Sequence, residues 1–165
     1  VDVLEEGVHS GDASGIVPSS FRVLRQLLAR IEDIDTGRVT LDALHVAIPP
    51  ERIEQAKKAA EVLGTAVYDK FPFVKGMQPA LDDLAELVLN RTWRPALSVT
   101  GQDGWPPLSN AGNVLRPFTA VKLSMRLPPT ADGKTAGHAL RDALIANPPY
   151  GAKVSFELEK SSTGW

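Results

Sequence analysis

Three residues in this chain combine a reactive side chain with an unusual local setting: His9, Asn113 and Arg126. His9 lies within Glu5-Glu6-Gly7-Val8-His9-Ser10-Gly11-Asp12-Ala13-Ser14-Gly15, a turn with three glycines. Such glycine density marks a sharp change of direction, or a place where another group must come close to the backbone. An imidazole in that turn can exchange a proton near neutral pH, or donate a hydrogen bond to a developing negative charge. Taken by residue type alone, the plainer reading is a loop histidine satisfied by a neighbouring backbone group. Ser10 could orient His9, and its hydroxyl could equally cap the local backbone.

Asn113 lies in Asn110-Ala111-Gly112-Asn113-Val114-Leu115-Arg116-Pro117, just before the clearest strand pattern in the chain. Its amide could contact a substrate or simply cap a turn. Arg126 lies near the end of that strand, in Leu123-Ser124-Met125-Arg126-Leu127-Pro128. A guanidinium grips a carboxylate through two parallel N–H bonds. The plainer alternative is a solvated arginine paired with a strand glutamate such as Glu157.

The composition removes several chemistries. The 165 residues include no cysteine, so disulfides and thiolate metal sites are excluded. The three histidines, His9, His45 and His138, show no His-x-x-x-His or His-Glu-x-x-His spacing. No metal site is expected within the chain. There is no Gly-x-Ser-x-Gly and no carboxylate–histidine cluster at a catalytic spacing. A net charge of −2 argues against a phosphate-binding footprint and a nucleic-acid partner. No apolar run reaches the roughly 20 residues that span a bilayer, so no membrane partner is expected and the expected location is cytoplasmic. With 43% hydrophobic and 23% charged residues, the chain has the make-up of one folded domain over residues 1–165.

The elements that must position these residues are readable from periodicity. Val1 to Leu4 reads as a short strand. Pro18 and its neighbouring serines open a helix in which Phe21, Leu24, Leu28 and Ile31 recur, ending near Ile34. Thr40 to Ile48 is ambiguous. Pro49-Pro50 starts a helix that Gly64 stops, and another helix runs from about Pro79 to Asn90. Residues 35–92 read as a helical insertion. Leu97 and Val99 begin a strand, followed by a loop from Gly101 to Gly112. From Phe118 to Leu127 the period is two, with Thr119, Val121, Leu123, Met125 and Leu127 on one face. A helix from Thr135 to Ala146 and a strand through Val154, Phe156 and Leu158 complete the chain. Without the insertion the order is βαββαβ. The expected fold class is therefore α+β, a ferredoxin-like two-layer sandwich. It would have a four-stranded antiparallel sheet with two helices on one face.

The stretch Glu-Gly-Val-His-Ser-Gly, followed by a glycine and a Pro-Ser-Ser helix start, resembles the opening of a known domain. That domain is the dimerisation (lid) domain of the di-zinc metallopeptidases, the family of aminoacylases, carnosine dipeptidases, carboxypeptidase G and acetylornithine deacetylase. The stretches around Asn113 and Arg126 fit the same domain in the same order. The resemblance is weak between about Asp35 and Thr92. It departs at Arg116, where the family usually carries proline.

The resemblance implies a parent enzyme whose two zinc ions belong to a separate catalytic domain flanking this segment on both sides. The lid itself would hold no metal and have no activity alone. His9 would reach into the active site of the partner subunit and stabilise the oxyanion formed during amide hydrolysis. Asn113 would contact the substrate or the same charge, and Arg126 the substrate's free carboxylate. The substrates implied are peptides or N-acyl amino acids. A homodimer through a sheet edge and the first helix is expected. The competing reading is a ferredoxin-like regulatory module that dimerises and binds a small metabolite.

Overall fold

A computed structural model describes residues 1–164, so Trp165, the last residue of the expected domain, lies outside the described residues. The chain is mixed α and β. The first strand, β1 (Val8–His9), runs directly into a single helical turn, α1 (Ser10–Ala13). The helix α2 (Ser20–Leu28) follows. Next come α3 (Pro50–Leu63) and α4 (Leu84–Thr92). The strands β2 (Ala96–Asp103), β3 (Val114–Leu115) and β4 (Ala120–Arg126) precede the last helix, α5 (Gly133–Ile145).

The strands form two separate two-stranded antiparallel sheets, β1 with β3 and β2 with β4. This corrects the expectation of one four-stranded sheet. The predicted first strand, Val1 to Leu4, makes only isolated antiparallel bridges, from Asp2 to Phe118 and from Asp2 to Lys153. The predicted last strand shows the expected alternation, with Val154 and Phe156 partly buried against the core, but pairing stops at the Lys153 bridge. A strand needs consecutive ladder bonds, and a correct inward pattern alone does not supply them.

The main core lies between α2, α5 and the inner face of the β2–β4 sheet. Val23, Leu27, Ile31, Ala136, Leu140 and Leu144 pack there, with Leu97, Leu123 and Met125 partly buried against them. The inward face of α2 is turned from the predicted stripe. Ser20, Val23, Leu24 and Leu27 are buried, while Phe21 is exposed and packs edge-to-face on Trp105 at 5.8 Å. Truncating a residue as enclosed as Leu27 to alanine costs about 2–5 kcal/mol. The far ends of the two helices are tied by Arg30, whose guanidinium donates to the carbonyls of Ala143, Ala146 and Asn147. These carbonyls lie at the end of α5, where backbone acceptors lack helical partners.

Val39 and Leu44 fall within the stretch read as an insertion, yet both are buried in the main core. The short 3₁₀ turn Asp42–Leu44 resolves the ambiguous region and packs against α5. The helices that stand apart are α3 and α4, which pack on each other and bury Ala56, Ala60 and Leu89. Their outer ends match the sequence signals unequally. Pro50 starts α3 and Gly64 ends it as predicted. The start of α4 is later than Pro79, because the Asp83 carboxylate accepts from the N–H groups of Ala85 and Glu86 and sets the cap there.

Candidate functional site

Gly7 allows β1 and β3 to meet. A Cβ at Gly7 would lie 2.8 Å from Val114 Cγ1, so only glycine admits β3 at this distance. In the resulting ladder Val8 faces Leu115 and His9 faces Val114. The next residue extends the pairing, as the Ser10 N–H donates to the Asn113 carbonyl at 2.9 Å. His9 and Asn113, separated by more than a hundred positions, are therefore both exposed and lie one step apart along the same pairing, His9 opposite Val114 and Asn113 opposite Ser10.

The imidazole is held in a defined state. His9 is the N-cap of α1, and its Nδ1 accepts from the Gly11 N–H at 3.1 Å. An accepting Nδ1 puts the proton of neutral imidazole on Nε2. The ring then presents an N–H donor to the outside, and its side chain is 63% exposed. Asp12 Oδ2 lies 3.9 Å from Nδ1 and is itself open to water. The plainer reading of His9 is thus half right: one ring nitrogen is satisfied by the backbone, and the other faces outward. The Gly11 amide, and not the Ser10 hydroxyl, orients the ring; Ser10 contributes its main chain to the ladder and to the first turn of α1.

The Asn113 side chain is exposed and makes no hydrogen bond among the described residues, so turn capping does not account for it. Arg126 is not part of this cluster. It ends β4 opposite Ala96, and β4 begins six residues earlier at Ala120. At about 3.3 Å per strand residue, the length of β4 places Arg126 roughly 20 Å from the strand's other end. Arg126 is exposed and forms no ion pair among the described residues. The alternative pairing with Glu157 is absent among those residues. Lys122, four residues earlier on the same face, instead meets Glu159 at 2.6 Å.

Sequence reasoning missed a buried polar cluster at the entry to β4. Thr119 is fully buried and Ser20 is 1% exposed. Their hydroxyls are 2.8 Å apart, and Trp105 Nε1 donates to Thr119 Oγ1 at 2.9 Å. Arg116, where the resembled pattern would have proline, donates through Nε to the Gly104 carbonyl at 2.8 Å. The available signal was a threonine on the otherwise apolar face of β4's strand pattern.

Among the described residues no group of three or more His, Asp or Glu side chains could hold a metal ion. The described residues therefore offer no donor set that fits a zinc centre. Among the same residues no helix is long and apolar enough to cross a membrane.

Residues 1–151 match the sequence profile of the peptidase dimerisation domain. No curated protein sequence matches the chain. Three solved structures share its fold. Human carnosine dipeptidase 1 superposes with a TM-score of 0.62 at 22% identity, over 87% of this chain and 30% of the dipeptidase. The dipeptidase Dug1p of Saccharomyces cerevisiae gives 0.62 at 20% identity, over 90% of this chain and 32% of its own. The M20 family metallo-carboxypeptidase Sso-CP2 of Sulfolobus solfataricus gives 0.61 at 19% identity, over 87% and 37%. The chain thus spans about a third of the length of the structures it resembles. With 151 of its residues matched to that one profile, the chain belongs to the peptidase dimerisation domain family.

Proposed function

We propose that this chain is the lid and dimerisation domain of a zinc-dependent peptidase or amidohydrolase that cleaves peptide or N-acyl amino-acid amide bonds. Two zinc ions would be held by other parts of the polypeptide, and this segment would be inactive alone. In a homodimer joined through a sheet edge and α2, His9 would enter the partner's active site. There its Nε2–H would donate to the amide oxygen as negative charge develops on it. Asn113, one step along the pairing from His9, would add a second polar contact. Arg126 would take the free carboxylate of the substrate within its own subunit's cleft.

The observation that carries this reading is the state of the His9 ring. Its inner nitrogen accepts from Gly11 at 3.1 Å, leaving a fixed donor on the exposed side. A donor prepared in advance costs no reorganisation when charge appears. Arg126 ends the β2–β4 sheet while His9 and Asn113 belong to the β1–β3 pairing, a separation that suits contributions to two different clefts. The double bridging of Asp2 to Phe118 and Lys153 supports a ferredoxin-like order in the assembled protein. That order runs C-terminal segment, N-terminal segment, β4, β2.

The test is His9→Ala in the full-length protein, with turnover and metal content measured on one sample. Loss of an oxyanion donor lowers kcat about a hundredfold or more, with the metal retained. Wild-type turnover would remove His9 from the reaction.

A further inference from the structure

At the entry to β4, the hydroxyls of Thr119 and Ser20 join the Trp105 indole in one chain of hydrogen bonds. The indole Nε1–H donates to Thr119 Oγ1 at 2.9 Å. Thr119 and Ser20 are 2.8 Å apart, and the Ser20 hydroxyl donates to the Arg116 carbonyl at 3.4 Å. One direction satisfies every proton: indole to Thr119, Thr119 to Ser20, Ser20 to the Arg116 carbonyl. A chain of this kind is directional and mutually polarising. It joins the loop after β2, the entry to β4 and the first residue of α2, three places far apart in sequence.

The same short stretch, residues 116–119, holds both chain segments that lead to His9. On one side it is continuous with β3, which pairs with His9. On the other, the Val3 and Leu4 N–H groups donate to the Pro117 carbonyl at 2.8 and 3.2 Å, and the Thr119 N–H donates to Val1 at 3.0 Å. The His9 turn is thus suspended from two ends that share one anchor. The anchor's buried side-chain contact with α2 is the Thr119 hydroxyl's bond to Ser20, beside the longer bond from Ser20 to the Arg116 carbonyl. An apolar residue of the same shape would fill that space, so filling it is not what the hydroxyl contributes.

We infer that Thr119, through its hydrogen bonds to Ser20 and Trp105, is a positioning residue that sets the placement of the His9–Asn113 turn for the reaction. This rests on the proposed role of His9. Thr119 touches neither substrate nor reacting atoms. It fixes the stretch from which both arms of the turn depart. In Thr119→Val the volume is kept and the anchor loses its side-chain tie to α2, leaving only the longer 3.4 Å bond from Ser20 to the Arg116 carbonyl, so the turn gains freedom while the core stays filled.

The test uses Thr119→Val and Thr119→Ser in the full-length protein, with and without His9→Ala, and also follows the Gly11 amide by NMR. The expected result for Thr119→Val is a roughly tenfold fall in kcat with KM unchanged, a shift of the Gly11 amide signal, and recovery of both in Thr119→Ser. In the His9→Ala background Thr119→Val should add nothing further. Wild-type kcat with an unmoved Gly11 amide would overturn the inference. So would an equal loss in the His9→Ala background, since that would mark general damage to the fold. If His9→Ala itself leaves turnover intact but Thr119→Val still moves the Gly11 amide, the positioning stands and the proposed role of His9 falls.

Discussion

The Gly11 N–H donates to His9 Nδ1 at 3.1 Å, and a Cβ at Gly11 would lie 2.9 Å from ring atom Cε1 and 3.0 Å from Nδ1. The glycine therefore does two things for the histidine. Its amide fixes the tautomer, and its missing side chain leaves room for the ring to reach that amide.

Gly11→Ala separates the placement of His9 from its presence. The added methyl group overlaps the ring, so the imidazole must swing away and lose the Nδ1 bond. Turnover of the full-length protein should fall by about ten- to a hundredfold, the range below loss of the whole donor. The melting temperature should barely change, because the site is exposed. Steady-state kinetics and a thermal melt on one preparation check this. Unaltered turnover would show that the observed ring position is not the working one.

Arg126→Ala tests recognition of the substrate carboxylate. It should raise KM strongly for a substrate with a free carboxylate and leave an amidated analogue almost unaffected, because a bidentate guanidinium contact exists only with the former. Equal losses for both substrates would assign Arg126 another task.

Asp132 gives a pH dependence with a definite sign. It caps α5, accepting from the Thr135 hydroxyl at 2.7 Å and the Thr135 N–H at 2.8 Å, and these bonds hold its carboxyl below the ordinary value. A carboxyl lowered on folding stabilises fully above its unfolded value, and loses that effect as pH falls through the folded one. Asp132→Asn keeps a good cap and removes the titration. Melting temperatures taken from neutral pH down to about pH 3, past the usual Asp value, should fall less steeply for the variant. Coincident acid limbs would contradict the assignment.

How far the sequence reveals this molecule depends on the range of the interaction that decides each feature. The His9 turn and the Asn113 stretch were legible because each is a short motif, and the close approach of Gly7 to Val114 accords with the glycine signal of that turn. The inward face of β4 was legible from its period of two. The α2 face was misjudged by one position because Phe21 is large and apolar, yet it packs on Trp105 at the surface while Ser20 turns inward to Thr119. The strand β2 runs on to Asp103, through a register shift between Val99 and Gly101, in a stretch whose glycine reads as loop. The start of α4 was placed at Pro79 although Asp83 carries the cap. The bridging of Asp2 to Phe118 and Lys153, and the Ser20–Thr119–Trp105 chain, depend on partners about a hundred positions away or more, or on a side chain from a third element. No local pattern announces those.

The central claim is that His9 of one subunit serves the active site of the other. The most direct measurement co-expresses two inactive full-length forms with different tags and isolates the mixed dimer. One form carries His9→Ala with its metal centre intact; the other keeps His9 and lacks its metal ligands. The account predicts that the mixed dimer recovers substantial turnover, since the intact centre of the first subunit receives His9 from the second. A mixed dimer as inactive as either parent would contradict it, and would place His9, if it acts at all, within its own subunit.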